Sequence, residues 1–234
     1  MKKLICLVIA LVLIAVSAVA CKKEEPDEGT TAPVTEAERK APALSEIDMT
    51  PLSSLDGVTE SEAETDYVIL TVRKYGTIVI RLYPDVAPET VANFKSLVSQ
   101  KFYDGLIFHR VIKGFMIQGG DPLGTGRGGS GTNIKGEFAL NGFENNLSHV
   151  RGVISMARSD DQNPNTTADL NSASSQFFIC QQDYAYGDGS YAAFGYVVYG
   201  MDAVDSIASV RTNSSDKPAT DVVIESIRFA TVAG

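Results

Sequence analysis

The segment FHRVIKGFMIQGGD, residues 108–121, sets a guanidinium (Arg110) and a carboxamide (Gln118) among Phe115, Met116 and further large apolar side chains. A charge on such a surface is costly unless it is paired or has chemistry to perform. Three other groupings compete for attention. Gly124-Thr125-Gly126-Arg127-Gly128-Gly129 satisfies G-x-G-x-x-G, the phosphate-cradling pattern, but that reading needs a strand before it and a helix after it. QGGDPL precedes it and SGTNIKGEF follows, with no helical stripe and no GK[ST], so a glycine loop is expected. His109 and Asp121 suggest a hydrolase partnered by serine, yet no serine occupies a nucleophile-elbow pattern. Two histidines, His109 and His149, and no Cys-His spacing offer little for a metal; both read as structural.

The elements that must position these residues are mostly strands. DYVILTVRKYGTIVIRLYP alternates Val68, Leu70, Val72, turns at RKYG, and alternates again at Ile78, Ile80, Leu82, which predicts a hairpin. APETVANFKSLVSQ carries Pro88 at a first-turn position, Glu89 beside it and an apolar stripe of Val91, Phe94, Leu97 and Val98, which predicts a helix. FYDGLIFHRVI and FMIQGG read as strands joined at Lys113-Gly114. GVISMA, SQFFIC, FGYVVYG and DVVIESIRFA are four more, and MDAVDSIASV is a second helix with Val204, Ile207 and Val210 on one side. The expected class is mainly β: a closed eight-stranded antiparallel barrel capped by two α-helices.

The ends differ from this core. Lys2 and Lys3 precede an apolar run from Leu4 to Ala20 that ends at Ala18-Val19-Ala20-Cys21, the pattern of a secretory signal (residues 1–20) followed by a lipobox-like cysteine. The reading is a bacterial lipoprotein, lipidated at Cys21 and held on the extracytoplasmic face of the cell membrane. Residues 22–66 hold four basic and thirteen acidic residues and no aromatic, so 21–66 is expected to be a solvated tether. The signal and tether account for most of the formal charge of −9, leaving residues 67–234 near −2. Nothing basic enough for a nucleic-acid footprint remains. Cys180, in QFFIC, reads as a small core hydrophobe. No metal and no cofactor is expected, and the domain is expected to be a monomer.

FHRVIKGFMIQGGD, then GTGRGGSG, HVRGVISMAR, SQFFIC and FGYVVYGMDAVDSI, in this order, resemble the cyclophilin family of peptidyl-prolyl cis/trans isomerases, over roughly Tyr67 to Phe229. The resemblance implies a barrel with two capping helices and proline-containing polypeptides as substrates. An X-Pro amide rotates slowly, over a barrier of about 18–20 kcal/mol, because resonance keeps it planar. Rotation leaves a lone pair on the nitrogen, and a donor aimed there binds the twisted state best. Arg110 matches the family's catalytic arginine. Gln118 matches an amide that orients a substrate carbonyl or holds the arginine. Phe115, Met116 and Phe178 match the proline pocket, and Gln176 a second polar wall. Gly126, Ala157, Arg158 and Ser159 match the rim; at Arg158 the family mainly uses backbone, so the side chain is expected to matter little.

Some positions depart from the family. The pocket-edge tryptophan falls on Tyr186, the leucine after it on Gly187 and a histidine on Tyr191, which implies a shallower pocket and argues against tight cyclosporin binding. The segment SDDQNPNTTADLN, residues 159–171, is long and reads either as a solvated loop or as a lip that selects flanking residues. Three functions follow: a membrane-tethered isomerase, a module that binds proline-containing segments with little turnover, or a lipoprotein that displays loops to partners.

Overall fold

The structure, a computed structural model, describes residues 40–159 and 169–233. The expected signal, Cys21 and the first half of the tether lie outside these residues, as does most of the 159–171 segment.

Nine strands, β1 (Val58–Ser61), β2 (Tyr67–Val72), β3 (Gly76–Leu82), β4 (Arg110–Ile112), β5 (Met116–Gly119), β6 (Val153–Met156), β7 (Phe177–Cys180), β8 (Ala193–Tyr199) and β9 (Ile224–Val232), form one sheet. Its order is β1-β9-β2-β3-β8-β6-β7-β5-β4, and every pairing is antiparallel. The two expected helices are present, α1 (Pro88–Ser99) and α2 (Met201–Ala208).

The expected closed barrel is corrected. The sheet stays open because no ladder joins β4 to β9 among the described residues. β4 is three residues long, and the chain facing it spends hydrogen bonds on its own turn: Asn213 N donates to Lys217 O and Ala219 N to Arg211 O. What crosses the gap is a few single bonds, Phe108 N to Val222 O at 2.9 Å and Val111 N to Asp216 O at 2.8 Å among them.

The tether boundary at residue 66 also moves. Composition averaged over 22–66 hides a second half that docks. Ala41 and Ile47 are buried, Leu52 N donates to Val198 O at 2.7 Å, and β1 pairs with β9. The acidic residues here have fixed partners. Asp48 pairs with Arg81, its carbonyl accepts from Tyr83 Oη at 2.7 Å, and its carboxyl is held at about 2, mainly by hydrogen bonds from Thr50 and Arg81. Lys95 of α1 is nearly buried and reaches Asp66 at 2.8 Å and Glu64 at 3.3 Å. Burial alone would lower its pKa; the two carboxylates raise it.

α1 has no side-chain cap of its own. The buried carboxylate of Glu137 supplies one from across the chain, accepting from Glu89 N at 3.0 Å and Thr90 N at 2.8 Å, so free donors of the first turn are satisfied. The helix thereby seats Phe94 against Tyr103, Phe177 and Phe194, beneath the strands that carry the conspicuous arginine.

A chain begun at Tyr67 is expected to unfold at lower urea than one begun at Lys40. The difference should correspond to about 2 kcal/mol or more, given one buried isoleucine and a lost strand pairing. Equal midpoints would show that residues 40–66 contribute nothing.

Candidate active site

β4, β5 and β7 lie side by side, in a register that sorts their side chains. Arg110 pairs with Gln118 and Ile112 with Met116; Gln118 pairs with Phe178 and Met116 with Cys180. Directly paired residues share a face and successive ones alternate. Val111, Ile117 and Ile179 therefore enter the main core. Arg110, Met116, Gln118 and Phe178 stand on the other face, where Met116, Phe178 and Cys180 form a separate apolar cluster with Phe115, Ala157, Tyr184 and Tyr191 around it. Cys180 is buried, which pushes its thiol up to about 12.

On this face lies a cleft of about 300 Å³ lined by Arg110, Phe115, Met116, Gln118, Ala157, Arg158, Phe178, Tyr184 and Tyr191. Met116 and Phe178 are its buried floor. Tyr191 stands edge-on to Phe178 at 5.6 Å. Arg110 is at the mouth with 45% of its side chain exposed, and Nε lies 3.6 Å from Asp216 Oδ2. That contact is longer than a hydrogen bond and joins two half-exposed groups, so it biases the side chain without locking it. The Nη atoms make no hydrogen bond among the described residues. Gln118 Nε2 donates to Gln176 Oε1 at 2.9 Å, and Gln176 Nε2 donates to Gly128 O at 2.8 Å. This chain fixes the Gln118 amide and leaves its Oε1 for Arg110 or an incoming N–H.

A second cleft, of about 350 Å³, adjoins the first and shares Gln118, Ala157 and Arg158 with it; Gly126, Arg127, Ser159 and Gln176 also line it. The glycine loop, which lines the second cleft and not the first, is not a phosphate cradle. Asp121, buried, accepts from Leu123 N, Thr125 N, Gly126 N and Arg127 N at 2.6–3.1 Å. Those donors are consumed by the protein's own carboxylate. At Gly128 a Cβ would fall 2.0 Å from Asp121 Oδ1, so only glycine fits.

Two of the expected site residues are placed as follows. Tyr186, expected at the pocket edge, is 90% exposed and lines neither cleft; Tyr184 takes a place in the wall instead. The Arg158 side chain, expected to matter little, donates from Nε to Ser190 O at 3.0 Å. Its guanidinium lies 5.1 Å from the Tyr191 ring centroid and 5.6 Å from that of Phe138. An arginine that can stack on a neighbouring tyrosine is legible only once the two are known to be close.

The two histidines differ. His149 is buried, stacks on Phe178 at 17° and 6.0 Å, and sits between Asp188 Oδ1 (Nδ1, 2.9 Å) and Ser155 Oγ (Nε2, 2.9 Å). The acid at Nδ1 fixes the tautomer, so Nε2 accepts from the hydroxyl. Ser155 is fully buried, so this Ser-His-Asp line braces the pocket floor and offers no nucleophile to a substrate. His109 is also buried, but neither ring nitrogen has a hydrogen-bond partner among the described residues; a satisfied core histidine was expected. Burial lowers the pKa of both, against the pull of Asp121 on His109 and of Asp188 on His149.

Residues 67–229 match the family described as cyclophilin type peptidyl-prolyl cis-trans isomerase. A Neurospora crassa peptidyl-prolyl cis-trans isomerase-like 1 is 42% identical over 165 residues, covering 70% of this chain and 93% of its own. A Schizosaccharomyces pombe peptidyl-prolyl cis-trans isomerase is 44% identical over 144 residues, 61% of this chain and 86% of its own. A Cryptosporidium parvum cyclophilin type isomerase, solved in the presence of the dipeptide Ala-Pro, superposes with a TM-score of 0.62 at 31% identity, covering 70% of this chain and 99% of that one. The chain belongs to the cyclophilin-type peptidyl-prolyl cis/trans isomerases, and the cleft beside Arg110 occupies the stretch that carried the sequence resemblance.

Two outcomes follow from this geometry. Arg158→Ala is expected to raise KM for a short X-Pro peptide about two- to fivefold, the worth of one exposed cation–π contact; an unchanged KM would return Arg158 to a backbone role. Histidines held neutral by burial contribute stability that is complete above the ordinary imidazole range near pH 6.5 and is lost as pH falls through it. Carboxylates held low, such as Asp48 and Asp121, act only below about pH 4. The thermal midpoint should therefore fall between pH 7 and pH 5, with a shallower slope in a His109→Gln, His149→Gln variant; an identical slope contradicts this assignment.

Proposed function

We propose that this chain accelerates cis/trans isomerisation of X-Pro bonds in extracytoplasmic proteins, working from a membrane tether at Cys21. The observation that carries the chemistry is a guanidinium with unengaged Nη donors at the mouth of an apolar slot whose floor is Met116 and Phe178. A proline ring has no donor and suits such a slot. With the ring seated, the imide nitrogen falls at the rim, where Arg110 stands. The planar imide has little basicity at nitrogen; the twisted one has a lone pair. A donor there strengthens as the bond rotates, which is differential binding of the transition state. Each tenfold gain needs about 1.4 kcal/mol, so one charge-assisted hydrogen bond supplies a useful acceleration. Neither proton transfer nor a covalent intermediate is required.

The location rests on the sequence: Lys2-Lys3, the apolar run to Ala20 and Cys21, then an acidic stretch. Among the described residues no helix is long and apolar enough to cross a membrane; the proposed anchor rests on the segment before Lys40 alone. A second reading, a proline-segment binder with little turnover, is favoured by the Asp216 contact at Arg110 Nε, which draws the guanidinium toward the rim.

Exchange rates on a short X-Pro peptide separate the two. The soluble chain should accelerate exchange clearly, and Arg110→Ala should lose at least tenfold of that acceleration without a change in thermal midpoint. Binding without acceleration would favour the second reading. Incorporation of a radioactive fatty acid by the full chain, abolished in Cys21→Ser, tests the anchor; incorporation that persists in the variant would contradict it.

A further inference from the structure

Gly187 closes the short 3-10 turn Ala185–Gly187 and is buried. Its backbone lies outside the left-handed region, so conformation does not demand glycine there. Space does. A Cβ on Gly187 would fall 2.7 Å and 2.8 Å from Cδ1 and Cε1 of Tyr184, and 3.0 Å from His149 Cγ. The volume that a side chain at 187 would fill is thus occupied by the Tyr184 ring. That ring is held by its own main chain, Tyr184 N donating to His149 O at 2.7 Å and Gly187 N to Tyr184 O at 2.9 Å. It meets Phe115 at 4.7 Å and 61° and stands 6.4 Å from Tyr191. It lines the cleft floored by Met116 and Phe178, whereas Tyr186, two residues on, faces solvent.

We propose that Tyr184 and Gly187 are a matched pair, in which the missing side chain at 187 lets the Tyr184 ring stand as the outer wall of the proline slot. Tyr184 is then a specificity-determining residue for the isomerase reaction. This inference rests on the isomerase reading above. The wall faces the pyrrolidine ring and not the imide nitrogen, and that ring is present equally in the planar and twisted states. Its contribution is uniform binding, seen in KM and not in kcat, in contrast to Arg110. The contact is carried by the ring face and edge, so loss of the ring costs more than loss of the hydroxyl.

The test is a double-mutant cycle on the Lys40–Gly234 chain, with kcat and KM measured separately on a short X-Pro peptide and with peptide Kd measured by calorimetry in parallel. Tyr184→Ala should raise KM and Kd about tenfold and leave kcat within twofold, while Tyr184→Phe should keep KM and Kd nearer the parent than Tyr184→Ala does. Gly187→Ala should raise both constants comparably, because its Cβ expels the ring. The double variant should be no worse than the worse single one, since each change removes the same wall. An unchanged KM and Kd in Tyr184→Ala, or effects that add in the double variant, would overturn the pairing. If Gly187→Ala fails to fold, the two Tyr184 variants still decide the wall. If the parent binds peptide without turning it over, the isomerase reading fails and Kd alone tests the wall, so the two failures are distinguishable.

Discussion

The antiparallel register of β4, β5 and β7 is the constraint on which the rest of this molecule depends. Because side chains alternate, one set of three short strands delivers Val111, Ile117 and Ile179 to the core and Arg110, Gln118 and Phe178 to the cleft. A slip of one residue would bury the guanidinium and expose the isoleucines, at a cost of several kcal/mol in desolvation and lost apolar burial. The same apolar packing that stabilises the sheet therefore fixes the address of Arg110, the charge to which we assign the chemistry. Catalysis by a donor that neither gives up its proton nor forms a bond asks for little more than this: a position held to within a fraction of an ångström and a dry surface next to it.

Around that face, polar groups act as braces. Asp121 gathers four backbone N–H groups and so shapes the glycine loop that lines the second cleft. His149, tied to Asp188 and Ser155, stacks behind Phe178. Glu137 caps α1, which in turn packs behind β7 through Phe94 and Phe177. Glu137 and the Nδ1 side of His149 are satisfied by partners distant in sequence, Asp121 by the loop that follows it. His109 differs, with both ring nitrogens unpaired among the described residues.

The hairpin, both helices and the strands bearing the site could be read from periodicity, because each is short, apolar on one face and bounded by turn residues. Arg110 and Gln118 stand out by residue type, but Phe115, Met116 and Phe178 read as plain core until the family resemblance of the two motifs assigns them to a pocket. What the sequence concealed depends on partners far along the chain. β1 lies in an acidic stretch whose composition says solvated; it pairs with β9, and the stretch on either side of it is pinned by Asp48 to Arg81 and by Asp66 to Lys95. Closure of the sheet failed where residues 211–219 turned on themselves, a local preference that strand counting does not register. Tyr184 is not legible as a wall residue, because position along a motif does not report volume: its ring fills the space that a side chain at 187 would take.

The central claim is that Arg110 acts on the twisted imide and not on the resting peptide. The most direct measurement is exchange spectroscopy on an X-Pro peptide at equilibrium with the protein, read together with the affinity of the same peptide, for the parent chain and Arg110→Ala. The account predicts that on-enzyme interconversion slows at least tenfold while Kd stays within about twofold, since the lost hydrogen bond belongs to the transition state. A Kd that worsens in proportion to the rate would show that Arg110 merely holds the substrate, and would contradict it.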